Sequence, residues 1–287
     1  MKIAVVGSSG YIANFLLRRL SYNEQIETIV RIDQTDDADW KLDLGNTQDF
    51  DYDRLSGLSA LILTAAISSP DKCATDFDIC WNINVTGTMH LIEEATKRGC
   101  RVLFFSSDAV FGNGQTDIFS EESPTHAQTP YGLMKKAVED HFRGNPLFKA
   151  IRLSYVVSAK DRFISYCLRC IQENIVAEIF HPFYRNCITV TNVVDVVEWM
   201  ITHWEAFAPQ FLNVAGPELV SRLRMADELN RLSGGSLRYS IITPNADFFA
   251  NRPPLTQMKS LYLEKIGLLT QKTFTELFQS EMKGMKL

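Results

Sequence analysis

The strongest constraint on this chain is a rhythm: short apolar runs of β type alternate with segments whose apolar residues recur at helical spacing. Lys2–Val6, Ile26–Ile32, Ala60–Thr64, Arg101–Ser106 and Phe148–Leu153 are strand candidates, and Tyr11–Leu20, Trp81–Ala95 and Pro130–Arg143 are helix candidates between them. Strands that are apolar along their whole length need cover on both faces, so the alternation predicts a doubly wound α/β domain with a parallel sheet. After about residue 157 the rhythm changes. A helix over Arg162–Asn174 precedes strand candidates at Ile175–Ile179 and Cys187–Val190. A helix over Asn192–Trp204, capped by Asn192, leads to a strand at Phe211–Val214. Ser221 can cap Arg222–Leu232, and Thr273 with Glu276 forms a capping-box pattern before an amphipathic C-terminal helix. Gly/Pro-rich joints at 214–217 and 252–254 complete the division. Residues 1–157 and 187–214 are expected to form the sheet domain, and 158–186 with 215–287 a smaller interleaved lobe.

Composition narrows the function classes. The 287 residues carry 29 Lys and Arg against 34 Asp and Glu, a net charge of −5 that argues against nucleic acid or an anionic membrane as partner. No apolar run approaches the ~18 residues of a membrane span. The N-terminal apolar stretch stops at Gly7, too short for a signal peptide, so the expected location is the cytoplasm. The six cysteines lack disulfide-scaffold density, and Cys167-x-x-Cys170 sits in an apolar helix pattern, which makes it core. With five scattered histidines and no second Cys pair, no metal site is expected.

Two stretches carry chemistry. Gly7-Ser8-Ser9-Gly10-Tyr11-Ile12-Ala13 lies between the first strand and the first helix. There Gly7 permits a tight turn, Gly10 lets backbone approach a pyrophosphate, and the helix N-terminus offers free N–H groups. Small Ala13 allows close helix–strand packing. Asp33, at the end of the second strand, is placed to accept hydrogen bonds from adenosine ribose hydroxyls and to repel a 2′-phosphate, which points to NAD over NADP. Arg31 falls on the same side of that strand and could pair with Asp33. The second stretch is Thr129-Pro130-Tyr131-Gly132-Leu133-Met134-Lys135. Thr129 suits an N-cap and Pro130 the first helical position, which stacks Tyr131 and Lys135 on one helix face. An ammonium there would lower the tyrosine pKa and make it a proton carrier near neutral pH. Upstream, Ser107 closes a strand at the sheet edge where such folds place ligands.

Glycine loop, strand-end serine and Tyr/Lys pair, in that order, resemble the extended short-chain dehydrogenase/reductase family of NAD-dependent nucleotide-sugar epimerases, dehydratases and reductases, over nearly the whole chain. Leu63-Thr64-Ala65-Ala66 resembles the family's Asn-Ala-Ala strand end, with Thr64 in the place of Asn. Asn84-Val85-Thr86-Gly87-Thr88 resembles its N-V-x-G-T helix segment, and Asp43-Leu44 its adenine-facing Asp. Ser106-Ser107-Asp108-Ala109-Val110-Phe111-Gly112, Tyr184-Arg185-Asn186-Cys187-Ile188-Thr189-Val190 and Arg252-Pro253 match three later blocks. Family dehydratases carry Glu where this chain has Ala109, which argues against dehydration. The short second lobe and the Ser-Ser-Asp run are similar to the dTDP-4-dehydrorhamnose reductase-like branch, whose next residue is Tyr.

The resemblance implies a Rossmann-type fold with NAD as cofactor (NADP less so) and a nucleotide sugar undergoing 4-keto reduction or epimerisation by hydride transfer. It implies Tyr131 as general acid/base, Lys135 lowering its pKa and binding the nicotinamide ribose, and Ser107 orienting the reacting oxygen. The cofactor would be held by Gly7, Ser9, Gly10, Tyr11, Ile12, Asp33, Asp43, Leu44, Thr64, Ala65, Ala66 and Asn84, with Tyr131 and Lys135. Ser68, Ser107, Asp108, Arg185 and Arg252 would meet the substrate, the two arginines at its diphosphate. A homodimer through the helices near 81–95 and 130–143 is the family's habit. The alternative is a non-catalytic NAD(P)-binding regulatory subunit on the same fold.

Overall fold

The computed structural model describes residues 1–114, 117–269 and 272–283. In chain order the N-terminal part contains β1 (Lys2–Val6), α1 (Tyr11–Leu20), β2 (Thr28–Asp33), β3 (Trp40–Lys41), β4 (Ala60–Leu63), α2 (Pro70–Thr75), α3 (Phe77–Trp81), α4 (Thr88–Lys97) and β5 (Arg101–Ser107). Then follow β6 (Ile118–Phe119), α5 (Pro130–His141), β7 (Phe148–Leu153), β8 (Val156–Val157), α6 (Arg162–Gln172), β9 (Ala177–Phe180), β10 (Tyr184–Arg185), β11 (Ile188–Thr189), α7 (Val190–Thr202) and β12 (Phe211–Val214). The chain finishes with β13 (Val220–Ser221), α8 (Arg222–Leu232), β14 (Tyr239–Ile242), α9 (Ala246–Ala250), β15 (Leu255–Met258) and α10 (Phe274–Glu281).

Seven parallel strands in the order β12-β7-β5-β4-β1-β2-β3 form the main sheet, the expected Rossmann-type doubly wound architecture. Side-chain alternation explains its two cores. Ile3 and Val5 of β1 face one layer, packed with Leu16 of α1 and Val193 and Val197 of α7. Ala4 and Val6 face the other, with Leu91 and Ile92 of α4 and Val138 of α5. Strand order reverses beside β1, so the loops after β1 and β4 diverge at their C-terminal ends and leave a crevice. A four-stranded sheet in the order β13-β10-β15-β6 lies in the smaller part. Phe163, Ile164, Cys167 and Cys170 of α6 join Met225 and Leu229 of α8 and Phe278 of α10 in a separate core. All six cysteines are buried and unpaired. Among the described residues no helix is long and apolar enough to cross a membrane, and no cluster of metal-ligating side chains occurs.

Some local expectations shift. α7 starts two residues earlier than its spacing suggests, because the cap is Thr189 and not Asn192: the Thr189 hydroxyl accepts from the Asn192 N–H at 3.2 Å. The helix expected over Trp81–Ala95 contains a π-helical turn at Asn82–Gly87. A Cβ on Gly87 would stand 1.8 Å from the Leu44 carbonyl oxygen, so the widened turn accepts that loop at backbone distance and tolerates only glycine. β6, from the middle of the expected sheet domain, pairs instead with β15.

Candidate active site

The crevice begins at the glycine loop. Gly7 has φ +80°, and a Cβ there would lie 2.7 Å from the Ala65 backbone, so the turn excludes every other residue. The Gly10 N–H closes the loop on the Gly7 carbonyl at 2.9 Å, and Thr64 Oγ1 donates to the Val6 carbonyl at 2.8 Å, tying the β4 end to the loop. Gly10 caps α1 without a side chain, so the first-turn N–H groups of Tyr11, Ile12 and Ala13 have no helical acceptor and stay free for an anion. Asp33 stands behind the loop, its Oδ2 accepting from Ser9 N–H and its Oδ1 from Gln34 N–H, both at 2.8 Å. The Arg31–Asp33 pair that alternation allowed is absent. Arg31 turns outward to Asp39, 3.0 Å away, because the β2–β3 turn hydrogen-bonds Asp39 N–H to the Arg31 carbonyl. Asp33 thus has no cationic partner among the described residues. A pyrophosphate on backbone donors and a carboxylate free for ribose hydroxyls are what a dinucleotide requires, and the residues fit it.

Asp43, Leu44 and Asn84 stand away from the crevice floor. Asp43 Oδ1 accepts from Gly45 N–H at 2.7 Å, and Leu44 docks on Gly87. The buried Asn84 side chain pairs with both backbone groups of Ile67, at 2.8 and 2.9 Å, and so holds the loop that carries Ala65, Ala66 and Ser68.

The reacting end is built on α5. Thr129 caps it through Gly132 N–H, with Pro130 at the first position. A Cβ on Gly132 would lie 2.4 Å from the Ala109 carbonyl oxygen, so the helix seats directly on the turn after β5. That contact brings Tyr131 and Lys135 into the same cavity as Gly10, Thr64, Ala66 and Ser107, about 460 Å³ in volume. Ser107 Oγ accepts from Ala109 N–H at 3.2 Å and lies 3.1 Å from Asp108 Oδ1, to which it donates. Lys135 is buried, 5.7 Å from the Tyr131 ring centre, and donates to the Phe105 carbonyl at 2.7 Å. The expected lowering of the tyrosine pKa does not occur. Burial pushes the Tyr131 hydroxyl up, with the charges of Cys73 and Asp108 adding to the effect. Burial brings Lys135 down to about 7.

Lys135 therefore makes stability pH-dependent. The folded chain holds fewer protons than the unfolded one between about 7 and the ordinary 10.5, and stability rises with pH across that window. Lys135→Met removes the term. The variant is expected to gain thermal stability relative to the native chain near pH ~7, with the gain shrinking towards pH ~10; melting curves read this, and a gain independent of pH would contradict it.

Sequence reasoning missed Glu139, one turn beyond Lys135. Its carboxylate, fully buried, accepts from Ser106 Oγ at 2.5 Å and from Arg152 Nε and Nη2 at 3.0 and 2.7 Å, locking α5 to β5 and β7. The repeat Tyr131, Lys135, Glu139 on one face was its available signal.

A second cavity, about 860 Å³, opens from the first and shares Tyr11, Ser68, Ser107, Asp108, Tyr131 and Arg185 with it. Tyr11 reaches across to Ser158 Oγ at 2.5 Å. Arg185 Nε lies 3.5 Å from Asp108 Oδ2, and burial raises the Asp108 pKa. Arg252, also on the lining, bridges to Asp71 at 2.5 Å. Arg222 also lines this cavity, and sequence reasoning missed it too: its place after the Ser221 cap gave no signal.

A family model described as the NAD dependent epimerase/dehydratase family matches residues 3–215. UDP-glucose 4-epimerase 2 of Oryza sativa subsp. japonica is 40% identical over 77 residues, a stretch covering 25% of this chain and only 19% of that protein. The solved dTDP-4-dehydrorhamnose reductase of Clostridium acetobutylicum superposes with TM-score 0.84 at 20% identity, over 98% of both chains. MoeE5, solved with UDP-glucose and NAD, gives 0.78 at 21% identity over 98% of this chain and 97% of its own. Both structures share the fold.

Proposed function

The chain belongs to the NAD-dependent epimerase/dehydratase family, and on that premise we propose that it is an NAD(H)-dependent oxidoreductase acting on a nucleotide-linked sugar, by 4-keto reduction or epimerisation. The observation that carries this reading is the convergence of Tyr131, Lys135 and Ser107 with the free N-terminus of α1 in one cavity that opens into a second, arginine-lined one.

When bound, the nicotinamide supplies hydride exchange at a sugar carbon. The free N–H groups of Tyr11 and Ile12 hold the pyrophosphate, and Gly7, Ser9 and Gly10 shape the loop that lets it approach. Asp33 accepts from the adenosine ribose, which favours NAD. Asp43 and Leu44 border the adenine side, while Thr64, Ala65, Ala66 and Asn84 keep the β4 loop against the dinucleotide. Tyr131 exchanges the proton with the sugar oxygen. Burial keeps its hydroxyl protonated at neutral pH, the form that can donate to a carbonyl oxygen during reduction. Lys135 binds the nicotinamide ribose. Ser107 holds the reacting oxygen, beside Asp108 and Ser68. Arg185 and Arg252 face the substrate diphosphate. A homodimer through the helices over 81–95 and 130–143 belongs to the same reading, with the exposed apolar Leu133 on α5 in its support.

The test is to supply NADH or NADPH with UDP-, dTDP- and GDP-linked 4-keto sugars and follow the reduced-nicotinamide absorbance, with product sugars identified by NMR. Either consumption with one nucleotide sugar, NADH ahead of NADPH, or interconversion of two epimers is expected. Dinucleotide binding with neither outcome would overturn the enzymatic reading in favour of a regulatory subunit.

A further inference from the structure

Four arginines line the large cavity; Arg162 is exposed to solvent, and the other three, Arg185, Arg222 and Arg252, are not equivalent. Arg185 donates from Nη1 to the Tyr184 carbonyl at 2.6 Å and from Nη2 to the Pro253 carbonyl at 2.8 Å, with Nε beside Asp108. Arg252 donates to the Phe248 carbonyl at 3.0 Å and to Asp71 at 2.5 Å. The Arg222 side chain has neither hydrogen bond nor ion pair among the described residues, and its Nε is buried without an acceptor. Asp161 lies within electrostatic reach but is engaged elsewhere. Its carboxylate accepts from the N–H groups of Ser158, Phe163 and Ile164 and from the Tyr155 hydroxyl.

Aromatic rings fix where Arg222 stands. Phe183 is shared by Arg185 and Arg222, at 4.4 and 4.8 Å from the ring centre. Phe248 is shared by Arg222 and Arg252, at 5.8 and 4.7 Å. Arg222 is therefore the central member of a row of three like charges, braced by rings and with its donors unmet. A buried donor without an acceptor is costly, and a guanidinium fork matches the oxygens of a phosphate. One anion would meet those donors and relieve the repulsion along the row.

We propose that Arg222 is the principal anchor of the substrate's diphosphate, with Arg185 and Arg252 as flanking contacts whose donors are already taken up by the protein. This rests on the reading of the cavity as a nucleotide-sugar site and changes which residue binds the anion most strongly.

The test is calorimetric titration of UDP, dTDP and inorganic pyrophosphate into the native chain and into Arg222→Gln, Arg222→Lys, Arg185→Gln and Arg252→Gln, with unfolding temperature and NADH affinity measured in parallel. Arg222→Gln is expected to weaken UDP and pyrophosphate alike by about tenfold or more, the largest loss of the set, with NADH affinity unchanged. Arg222→Lys, which keeps a cation among the rings, recovers part of the loss and keeps the question open to test where Gln impairs folding. Native-like UDP binding in Arg222→Gln, or a larger loss in Arg185→Gln or Arg252→Gln, overturns the assignment and leaves the nucleotide-sugar reading standing. A native chain that binds NADH but none of the three probes overturns both.

Discussion

Tyr131→Phe is expected to lower turnover by about 10³-fold while leaving NADH affinity within about twofold. General acid–base catalysis contributes roughly 10²–10⁴-fold, and this change removes one oxygen and nothing else. The ring still packs beside Lys135, whose ammonium is held by the Phe105 carbonyl and not by the tyrosine hydroxyl, so the local frame survives. Single-turnover rates measured with saturating dinucleotide separate the proton step from product release. A rate within about tenfold of native would remove Tyr131 from the chemistry.

The second large effect is structural. Glu139→Ala is expected to destabilise the fold by about 3–5 kcal/mol, the usual cost of leaving one member of a buried ion pair without its partner. Arg152, 2% exposed, lies between the rings of Phe111 and Phe211 at 5.1 and 4.5 Å. Its Nη1 lacks an acceptor, and Glu139 is the carboxylate that pairs with Arg152 among the described residues. Replacing both charges, as in Glu139→Leu with Arg152→Met, should recover most of the loss, because an apolar pair carries no desolvation penalty. Urea unfolding midpoints decide this, and a double variant as unstable as the single one would show that packing, not charge, holds the helix.

The parts legible in the sequence are those set by local rules. α1 spans the residues its periodicity marks, and α5 begins where Thr129 and Pro130 say it should. The glycine loop was readable because a positive φ beside a neighbouring backbone leaves no other residue possible. What escaped depends on partners remote in sequence. The need for glycine in the π-helical turn comes from the Leu44 carbonyl against Gly87, which no window around Gly87 contains. Thr189 and Asn192 both satisfy the capping rule, and Thr189 stands in the extended backbone of β11, which pairs with the distant β8 at Val156–Val157. The raised Tyr131 pKa comes from burial under other segments, whereas the helical spacing displayed only Lys135. Arg222 acquires meaning from Phe183 and Phe248, which stand far from it along the chain.

The four-stranded sheet also bears on how this molecule is made. β15 is one of its two inner strands, pairing with β10 on one side and β6 on the other. The seven-stranded sheet is complete once β12 has been synthesised, but the smaller sheet must wait for residues 255–258. Long-range pairing of this kind closes slowly, because the loop entropy is lost before any contact repays it. A chain emerging from the ribosome can thus assemble the glycine loop and α5 while Arg185 still lacks the Pro253 carbonyl that holds it. A chain stalled once β12 has cleared the exit tunnel, with residues 255–258 not yet out, should hold a formed first cavity and an unformed second one.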